Sequence, residues 1–420
     1  MTDWDLFSSY AGLLTLATCS ICAGSYGSLT VSFPLHARKS KPGQPVADKS
    51  TDDEEEEEIP ERLSSADVYL FPILGSAVLF GLYLVVKFYG EEWINWLLQW
   101  YFTVTGVGSV SKSLVSLAKF TFGAQRWKRF DKLQILFLKG PKGQLCLPRQ
   151  ATVVISISMR TPSWYIAPLG AIPSILYTFG PSTTRKSALL TDVLALSFSH
   201  NAISLLKLDS FKAGCALLSG LFLYDVWWVF GTEVMVKVAT SLDIPIKVLW
   251  PKSLSFATTR GFTMLGLGDI VIPGLFVALA LRYDHHRHSE ASPRSRLKTP
   301  YFNSALFAYV AGLFTTMFVM HYFRAAQPAL LYLSPAGIIS FFVTAAVEGD
   351  LKQAWAWSDE PEDNSASDAP KAAPNGNAVT STTPVINVAP IGPATVDVPE
   401  DVEDEEVEGK EKKKAKRRKN

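Results

Sequence analysis

The stretch AGCALLSGLFLYDVWWVFGTE, residues 213–233, is long and apolar enough to decide the class of fold. A helix that crosses a bilayer needs about 20 mainly apolar residues, because hydrocarbon offers no partner for an open backbone. Within this stretch only Asp225 and Glu233 carry a formal charge at pH 7. The stretch therefore predicts a transmembrane helix with one carboxylate set deep among aromatic and aliphatic neighbours.

Charged residues are distributed unevenly along the rest of the chain. Residues 36–65 and 348–420 hold 40 of the 79 charged side chains, which leaves the other 317 residues with far less charge than a soluble protein has. This partition excludes a single soluble globule. The net charge of +1 also excludes nucleic-acid binding through a broad basic field. The sequence predicts an all-α polytopic membrane protein with a charged loop and a charged tail.

Apolar stretches predict about nine transmembrane helices. Their expected bounds are 6–31, 66–88, 94–118, 163–180, 188–206, 213–233, 261–281, 301–323 and 329–347. Residues 133–160 have apolar patches broken by lysines and an arginine, which predicts a surface segment. With the N-terminus in the lumen, the cytosolic loops hold 21 basic residues, and the luminal loops and ends hold 8. This excess favours a luminal N-terminus and a cytosolic C-terminus.

The spans divide the chain into five expected segments. Residues 1–35 contain the first transmembrane helix, 36–65 form an acidic disordered cytosolic loop, 66–180 contain helices two to four with a basic cytosolic loop, 188–347 contain helices five to nine, and 348–420 form a disordered charged cytosolic tail. The loop and the tail have too few apolar residues to fold alone. Cys19 and Cys22 form a C-x-x-C inside an apolar span, where packing is their ordinary role, so no metal or cofactor is predicted.

Two carboxylates stand out inside the predicted spans, Asp225 and Asp269. Apolar residues flank each of them, whereas Asp192 and Glu233 lie near span ends, where water or headgroups are within reach. Asp225 and Asp269 both lie 8 residues from the predicted luminal edges of neighbouring antiparallel helices. At a rise of about 1.5 Å per residue, both are expected roughly 12 Å below that edge. Because charges in membrane helices are costly and mark functional sites, the two aspartates are predicted to form one site.

A close pair of carboxylates in a low dielectric keeps one proton, since both cannot ionise together. The ionised member can take a proton from water while the protonated member donates to a carbonyl oxygen, which suits peptide hydrolysis. The pair titrates as a unit, so neither aspartate receives an individual role. Two alternatives stay open: a proton- or cation-coupled transporter or channel that uses the same aspartates, and a non-catalytic scaffold in membrane quality control. The sequence has no inverted repeat that would favour transport.

The sequence around the aspartates favours peptide chemistry. In Gly266-Leu267-Gly268-Asp269, two glycines remove side chains beside the carboxylate and allow another backbone to approach closely. In Gln327-Pro328-Ala329-Leu330, the proline cannot continue a helix from upstream, which predicts irregular backbone at the start of the ninth span. Exposed backbone at such positions can bind an unwound substrate by strand addition.

Three short motifs in this order resemble the signatures of the presenilin-type intramembrane aspartyl proteases. They are Tyr224-Asp225, Gly266-Leu267-Gly268-Asp269 and Gln327-Pro328-Ala329-Leu330. The longer stretches 220–231 (GLFLYDVWWVFG) and 264–274 (MLGLGDIVIPG) are similar to the signal peptide peptidase branch of that family. The resemblance covers roughly residues 188–347 and implies a presenilin-like fold, whereas residues 1–160 match only in layout.

The resemblance implies an intramembrane aspartic endopeptidase that cleaves segments of type II orientation, such as remnant signal peptides, in the endoplasmic reticulum membrane. It assigns catalysis to Asp225 and Asp269. The residues that it implies for shaping the active site and binding substrate are Tyr224, Gly266, Leu267, Gly268, Gln327, Pro328, Ala329 and Leu330. The expected partners are transmembrane or signal-peptide substrates and the lipid bilayer, without nucleic acid, and self-association into a homo-oligomer stays open.

Overall fold

A computed structural model describes residues 3–30, 61–63, 65–127, 129–139, 152–180, 187–232, 234–235, 238, 245–252, 262–291, 298–323 and 327–359. The helices are α1 (Asp3–Thr30), α2 (Ser65–Tyr89), α3 (Glu91–Phe122), α4 (Ala124–Trp127), α5 (Thr161–Phe179), α6 (Ala188–Leu205), α7 (Phe211–Phe230), α8 (Gly268–Ala291), α9 (Pro300–Phe323), α10 (Leu330–Glu348) and α11 (Leu351–Ala356). The strands are β1 (Glu61–Leu63), β2 (Lys132–Lys139), β3 (Thr152–Arg160), β4 (Leu206–Leu208), β5 (Lys247–Pro251) and β6 (Phe262–Gly266).

Nine of the described helices have 18 residues or more, and they coincide with the nine predicted spans. Six of them are also apolar enough throughout to cross a membrane: α1, α2, α6, α7, α9 and α10. Large apolar side chains are exposed on their outer faces, such as Tyr69 at 68% and Leu74 at 63% on α2. Such a surface suits contact with lipid rather than water. The prediction of an all-α polytopic membrane fold with about nine helices is confirmed.

The seventh span differs from its prediction at one end. Residues 262–266 form strand β6, which pairs with β5 in an antiparallel hairpin, and the helix begins only at Gly268. The helical start predicted at 261 is therefore wrong, and the helical rise from which the depth of Asp269 is derived does not apply to this stretch. The physical reason is that Gly266 disfavours a helix, while pairing with β5 satisfies backbone groups of this stretch.

Residues 133–160, predicted as a surface segment without a membrane helix, contain a second hairpin. Strands β2 and β3 pair in antiparallel register, with an irregularity between Phe137 and Leu138. The loop of this hairpin lies outside the described residues.

The core of the fold lies where α7, α8 and α10 pack together. Phe276 on α8 faces Gly214 on α7, where a Cβ atom would lie only 2.8 Å from the phenylalanine ring. Phe211 at the start of α7 is fully buried and stacks on Phe341 of α10, with ring centroids 4.3 Å apart. Close approach at a small residue is the usual way in which membrane helices pack. These contacts bring the two helices that carry the aspartates side by side.

Two expected segment boundaries are corrected at the end of the fold opposite the β5–β6 hairpin. Residues 61–63 of the predicted loop 36–65 form β1, which pairs in parallel with β4. The predicted tail 348–420 is structured as far as Asp359, whose carboxylate lies 2.9 Å from the buried Arg282 guanidinium and whose carbonyl accepts from Arg62 at 2.6 Å. A buried cation requires such partners, which explains the order there. The rest of both segments, including the acidic run 52–58, lies outside the described residues.

Candidate active site

Asp225 lies on α7, about four turns after the start of that helix, and its side chain is buried. Its Oδ2 atom accepts a hydrogen bond from the backbone N–H of Leu330 at 3.2 Å. Leu330 is the first residue of α10, and the preceding Ala329 has no side chain that could cap the helix. The first N–H groups of a helix lack partners within it and carry partial positive charge. Asp225 therefore caps α10 from a neighbouring helix.

Asp269 lies in the first turn of α8, where it directly follows Gly268. The backbone enters this turn tightly, because the Leu267 carbonyl accepts from the N–H of Ile270 at 3.1 Å and of Val271 at 2.9 Å. A Cβ atom on Gly266 would lie 3.3 Å from Asp269 Oδ2, which leaves little room for a side chain there. The Asp269 carboxyl lies within electrostatic range of the Asp225 carboxyl. The structure thus brings the two predicted aspartates into one site.

The remaining predicted site residues surround the pair at different distances. Pro328, Ala329 and Leu330 are buried where α10 begins, in contact with Asp225 through the Leu330 N–H. Gly266 lies against Asp269, whereas the nearest atom to a Cβ on Gly268, apart from its two chain neighbours, would be Ile272 Cδ1 at 4.0 Å. Tyr224 faces α2 instead, where its ring would lie 3.6 Å from a Cβ on Gly75. Leu267 and Gln327 are half-buried beside these motifs.

The hairpin β5–β6 presents an edge beside Asp269. Leu267 N–H donates to the Ile246 carbonyl at 2.9 Å, and opposed residues in an antiparallel pair alternate between bonded and non-bonded. Gly266 and Met264 therefore point their N–H and C=O groups away from β5. In the part of the chain that the structure describes, no strand pairs with this side of β6. Gly266, the last residue of β6, lies against the Asp269 carboxyl.

Tyr309 on α9 is a site residue that the sequence did not indicate. Its side chain is 2% exposed, and its hydroxyl has no hydrogen-bond partner among the described residues. Asp269 is within electrostatic range of that hydroxyl. The phenol also lines a small apolar cavity together with Leu218, Pro273, Phe276, Leu333 and Gly337. One tyrosine in an apolar span is typical of core packing, so the sequence pattern contains no signal for its position.

Metal binding has no support within the described ranges, which contain no group of three or more His, Cys, Asp or Glu side chains placed to hold an ion. The site itself offers two carboxyls, one helix N-terminus and an exposed strand edge. These groups can share a proton, hold a polarised water and bind extended backbone.

The chain is similar to known proteins over most of its length. The family model for signal peptide peptidase matches residues 53–361. The chain is similar to human signal peptide peptidase, with 38% identity over 312 residues that cover 74% of this chain and 78% of that protein. The mouse signal peptide peptidase is 38% identical over the same length and is covered to 77%. A probable intramembrane protease of Schizosaccharomyces pombe is 34% identical over 310 residues, which cover 74% of this chain and 88% of that protein.

Proposed function

Since the chain belongs to the signal peptide peptidase family of intramembrane proteases, we propose that it hydrolyses peptide bonds by an aspartyl mechanism, with Asp225 and Asp269 as the catalytic pair. The observation that carries the proposal is the meeting of three elements at one point. Asp225 comes from α7, Asp269 from the first turn of α8, and the Leu330 N–H from the start of α10. A transporter needs no such strand edge beside its carboxylates.

Hydrolysis by this pair proceeds through a shared proton. The ionised carboxyl removes a proton from a water molecule as its oxygen attacks the peptide carbonyl carbon, and the protonated carboxyl donates to the carbonyl oxygen. Collapse of the tetrahedral intermediate breaks the C–N bond: one hydroxyl of the intermediate returns its proton to the ionised carboxyl, the protonated carboxyl donates to the leaving amine, and the pair again holds one proton. The Leu330 N–H orients Asp225 throughout, because it holds one carboxylate oxygen in place. The other oxygen is left for the water.

Substrate binding in the proposal uses the edge of β6. A membrane helix must unwind before a peptide bond can be attacked, and its freed backbone groups then need partners in a low dielectric. The outward N–H and C=O groups of Met264 and Gly266 supply such partners by strand addition. The Met264 side chain is 63% exposed on the same face as Gly266, so it would contact a substrate side chain near the scissile bond.

The proposed substrates are membrane segments of type II orientation, such as remnant signal peptides, in the membrane of the endoplasmic reticulum. The excess of basic residues in one set of loops supports a luminal N-terminus and a cytosolic C-terminus. With that orientation the β5–β6 hairpin and both aspartates lie towards the lumen. Only the lipid bilayer and the substrate are required as partners, while homo-oligomer formation is left open.

Orientation is tested with one hydrophobic segment inserted both ways into microsomes that contain the protein. We expect cleavage when the segment has type II orientation and none when flanking charges invert it. Products are identified by mass spectrometry, and an active-site inhibitor added before the substrate is the control. Equal cleavage of both orientations would refute the substrate proposal. A cation flux through reconstituted protein, without any cleavage, would favour the transporter instead.

Gly266→Ala is expected to lower kcat by about 10- to 100-fold, because a displaced catalytic group loses its alignment. The added Cβ would lie 3.3 Å from Asp269 Oδ2 and would move the carboxyl. Gly268→Ala is the matched control, since apart from its two chain neighbours its Cβ would meet only Ile272 Cδ1, at 4.0 Å. There we expect a change in KM, from substrate backbone that approaches the glycine, with kcat retained. Wild-type kcat in Gly266→Ala would contradict the crowding argument.

A further inference from the structure

Asp192 is a third carboxylate in a membrane helix, and the proposed hydrolysis does not use it. It lies about one turn into α6, and its Oδ1 atom accepts a hydrogen bond from the Leu249 backbone N–H at 2.6 Å. The bond joins a carboxyl group of α6 to a backbone donor of β5. The sequence suggested only that Asp192 reaches water or headgroups, which does not account for a bond to the middle of β5. An ionisable residue in a membrane helix calls for a functional explanation.

The register of the hairpin shows which edge Asp192 occupies. Leu249 lies opposite Met264, and both residues belong to a pair whose polar groups point outward. The Leu249 N–H therefore leaves the hairpin on the β5 side, where Asp192 accepts it. The polar groups of Met264 leave on the β6 side, where the proposed substrate strand would pair. Asp192 thus binds β5 at the residue that lies opposite Met264, whose backbone groups face the proposed substrate strand.

The hairpin carries Asp269 almost rigidly, because only Leu267 separates β6 from α8. Its far end is held separately by α1, where the hydroxyls of Ser9 and Thr263 lie 2.7 Å apart. Thr263 also donates to the Trp250 carbonyl at 3.0 Å, which fixes the two strands at that end. Asp192 acts nearer to the catalytic end. A shift of β5 at Leu249 would therefore be passed through β6 to Gly266 and Asp269.

We propose that Asp192 is a positioning residue that holds β5 against α6, so that the edge of β6 and Asp269 meet the substrate in one register. The inference rests on the proposed function and gives Asp192 no proton-transfer role, because it acts through the Leu249 N–H. What the geometry requires is an acceptor oxygen at this position. A carboxamide provides one, whereas alanine or leucine does not.

The test compares Asp192→Ala, Asp192→Leu and Asp192→Asn in the full-length purified protein with one signal-peptide substrate. For the alanine and leucine variants we expect kcat/KM to fall by about 10-fold, the order expected for a lost charged hydrogen bond. We also expect scission to spread to neighbouring peptide bonds, measured by mass spectrometry of the products. Asp192→Asn is expected to restore most of the activity and the single scission site.

Asn201→Leu is the matched control on the same helix. Asn201 donates from its side chain to the Ser109 carbonyl at 2.7 Å, so the variant also loses an interhelical bond, but one that does not touch the hairpin. We expect it to lower the thermal stability while the scission site is unchanged. A purely structural role of Asp192 would give the same pattern as this control and would overturn the proposal.

A second way to break the bond leaves Asp192 in place and covers the case in which its variants fold poorly. Replacing the 248–249 amide by an ester, with α-hydroxy leucine at 249, deletes the N–H donor, keeps every side chain and weakens the Val248 carbonyl as an acceptor. The ester is expected to reproduce the spread of scission sites and to add nothing further when combined with Asp192→Ala. Full additivity, or an ester that cleaves like wild type, would refute the proposal. The proposed aspartyl mechanism fails if an Asp225 or Asp269 variant stays active, a result that does not depend on Asp192, so the two failures are distinguishable.

Discussion

Asp225→Ala and Asp269→Ala are each expected to abolish peptide cleavage, with residual kcat/KM below about one-thousandth of wild type. The reason is that the proposed reaction needs two carboxyls that exchange one proton, and either one alone can only accept or only donate. The measurement is cleavage of a helical signal-peptide substrate by purified protein in detergent or in proteoliposomes. A combined variant should be no worse than either single one, because the two residues act as a unit.

Asp225→Asn and Asp269→Asn remove the carboxyl chemistry and keep a side chain of nearly the same size and shape. The asparagine at 225 keeps an oxygen that can accept the Leu330 N–H, so the start of α10 retains its cap. We expect wild-type thermal stability and substrate binding in these variants, together with the same loss of cleavage. Normal turnover in any one of the four single variants would eliminate the aspartyl mechanism. Binding without cleavage in the wild type would instead support the scaffold.

The two aspartates could be found from the sequence because charge is so scarce around them. Once the charged loop and tail are set aside, Asp225 and Asp269 are conspicuous among apolar neighbours, and the nine spans follow from hydropathy alone. These features are local in sequence, which is why they are readable. The resemblance to a known family added the roles of the glycine and proline motifs.

What could not be predicted depends on partners that are distant in the chain. Residues 262–266 look helical in an apolar window, and only pairing with β5, more than ten residues upstream, makes them a strand. Tyr309 and Asp192 resemble ordinary core and interfacial residues until the fold sets them beside Asp269 and Leu249. Trp357, which packs on Tyr283 at the opposite end, lies in a stretch whose polar composition predicts no structure. A hydropathy pattern contains no information about such contacts.

Replacing the 329–330 amide by an ester is expected to lower kcat/KM by about 10- to 100-fold. The replacement, α-hydroxy leucine at 330, deletes the N–H that donates to Asp225 and keeps the buried Leu330 side chain in place. A hydrogen bond to a charged group contributes about 1.5–3 kcal/mol, and each 1.4 kcal/mol or so corresponds to a factor of ten in rate. Without this donor the Asp225 carboxyl loses the group that fixes its orientation. Single-turnover cleavage with purified protein measures the effect on the chemical step.

The same ester at residue 331 is the control that makes the result specific. The Leu331 N–H donates to the Pro328 carbonyl at 3.3 Å, in the same helical turn but away from Asp225. Both esters weaken one carbonyl acceptor in the first turn of α10, so the difference between them isolates the N–H that reaches the catalytic pair. If the proline motif serves only to begin the helix, the two esters will reduce cleavage equally. If the motif serves to hold Asp225, only the ester at 330 will reduce cleavage strongly. Leu330→Ala keeps the N–H and is therefore expected to retain more activity than that ester.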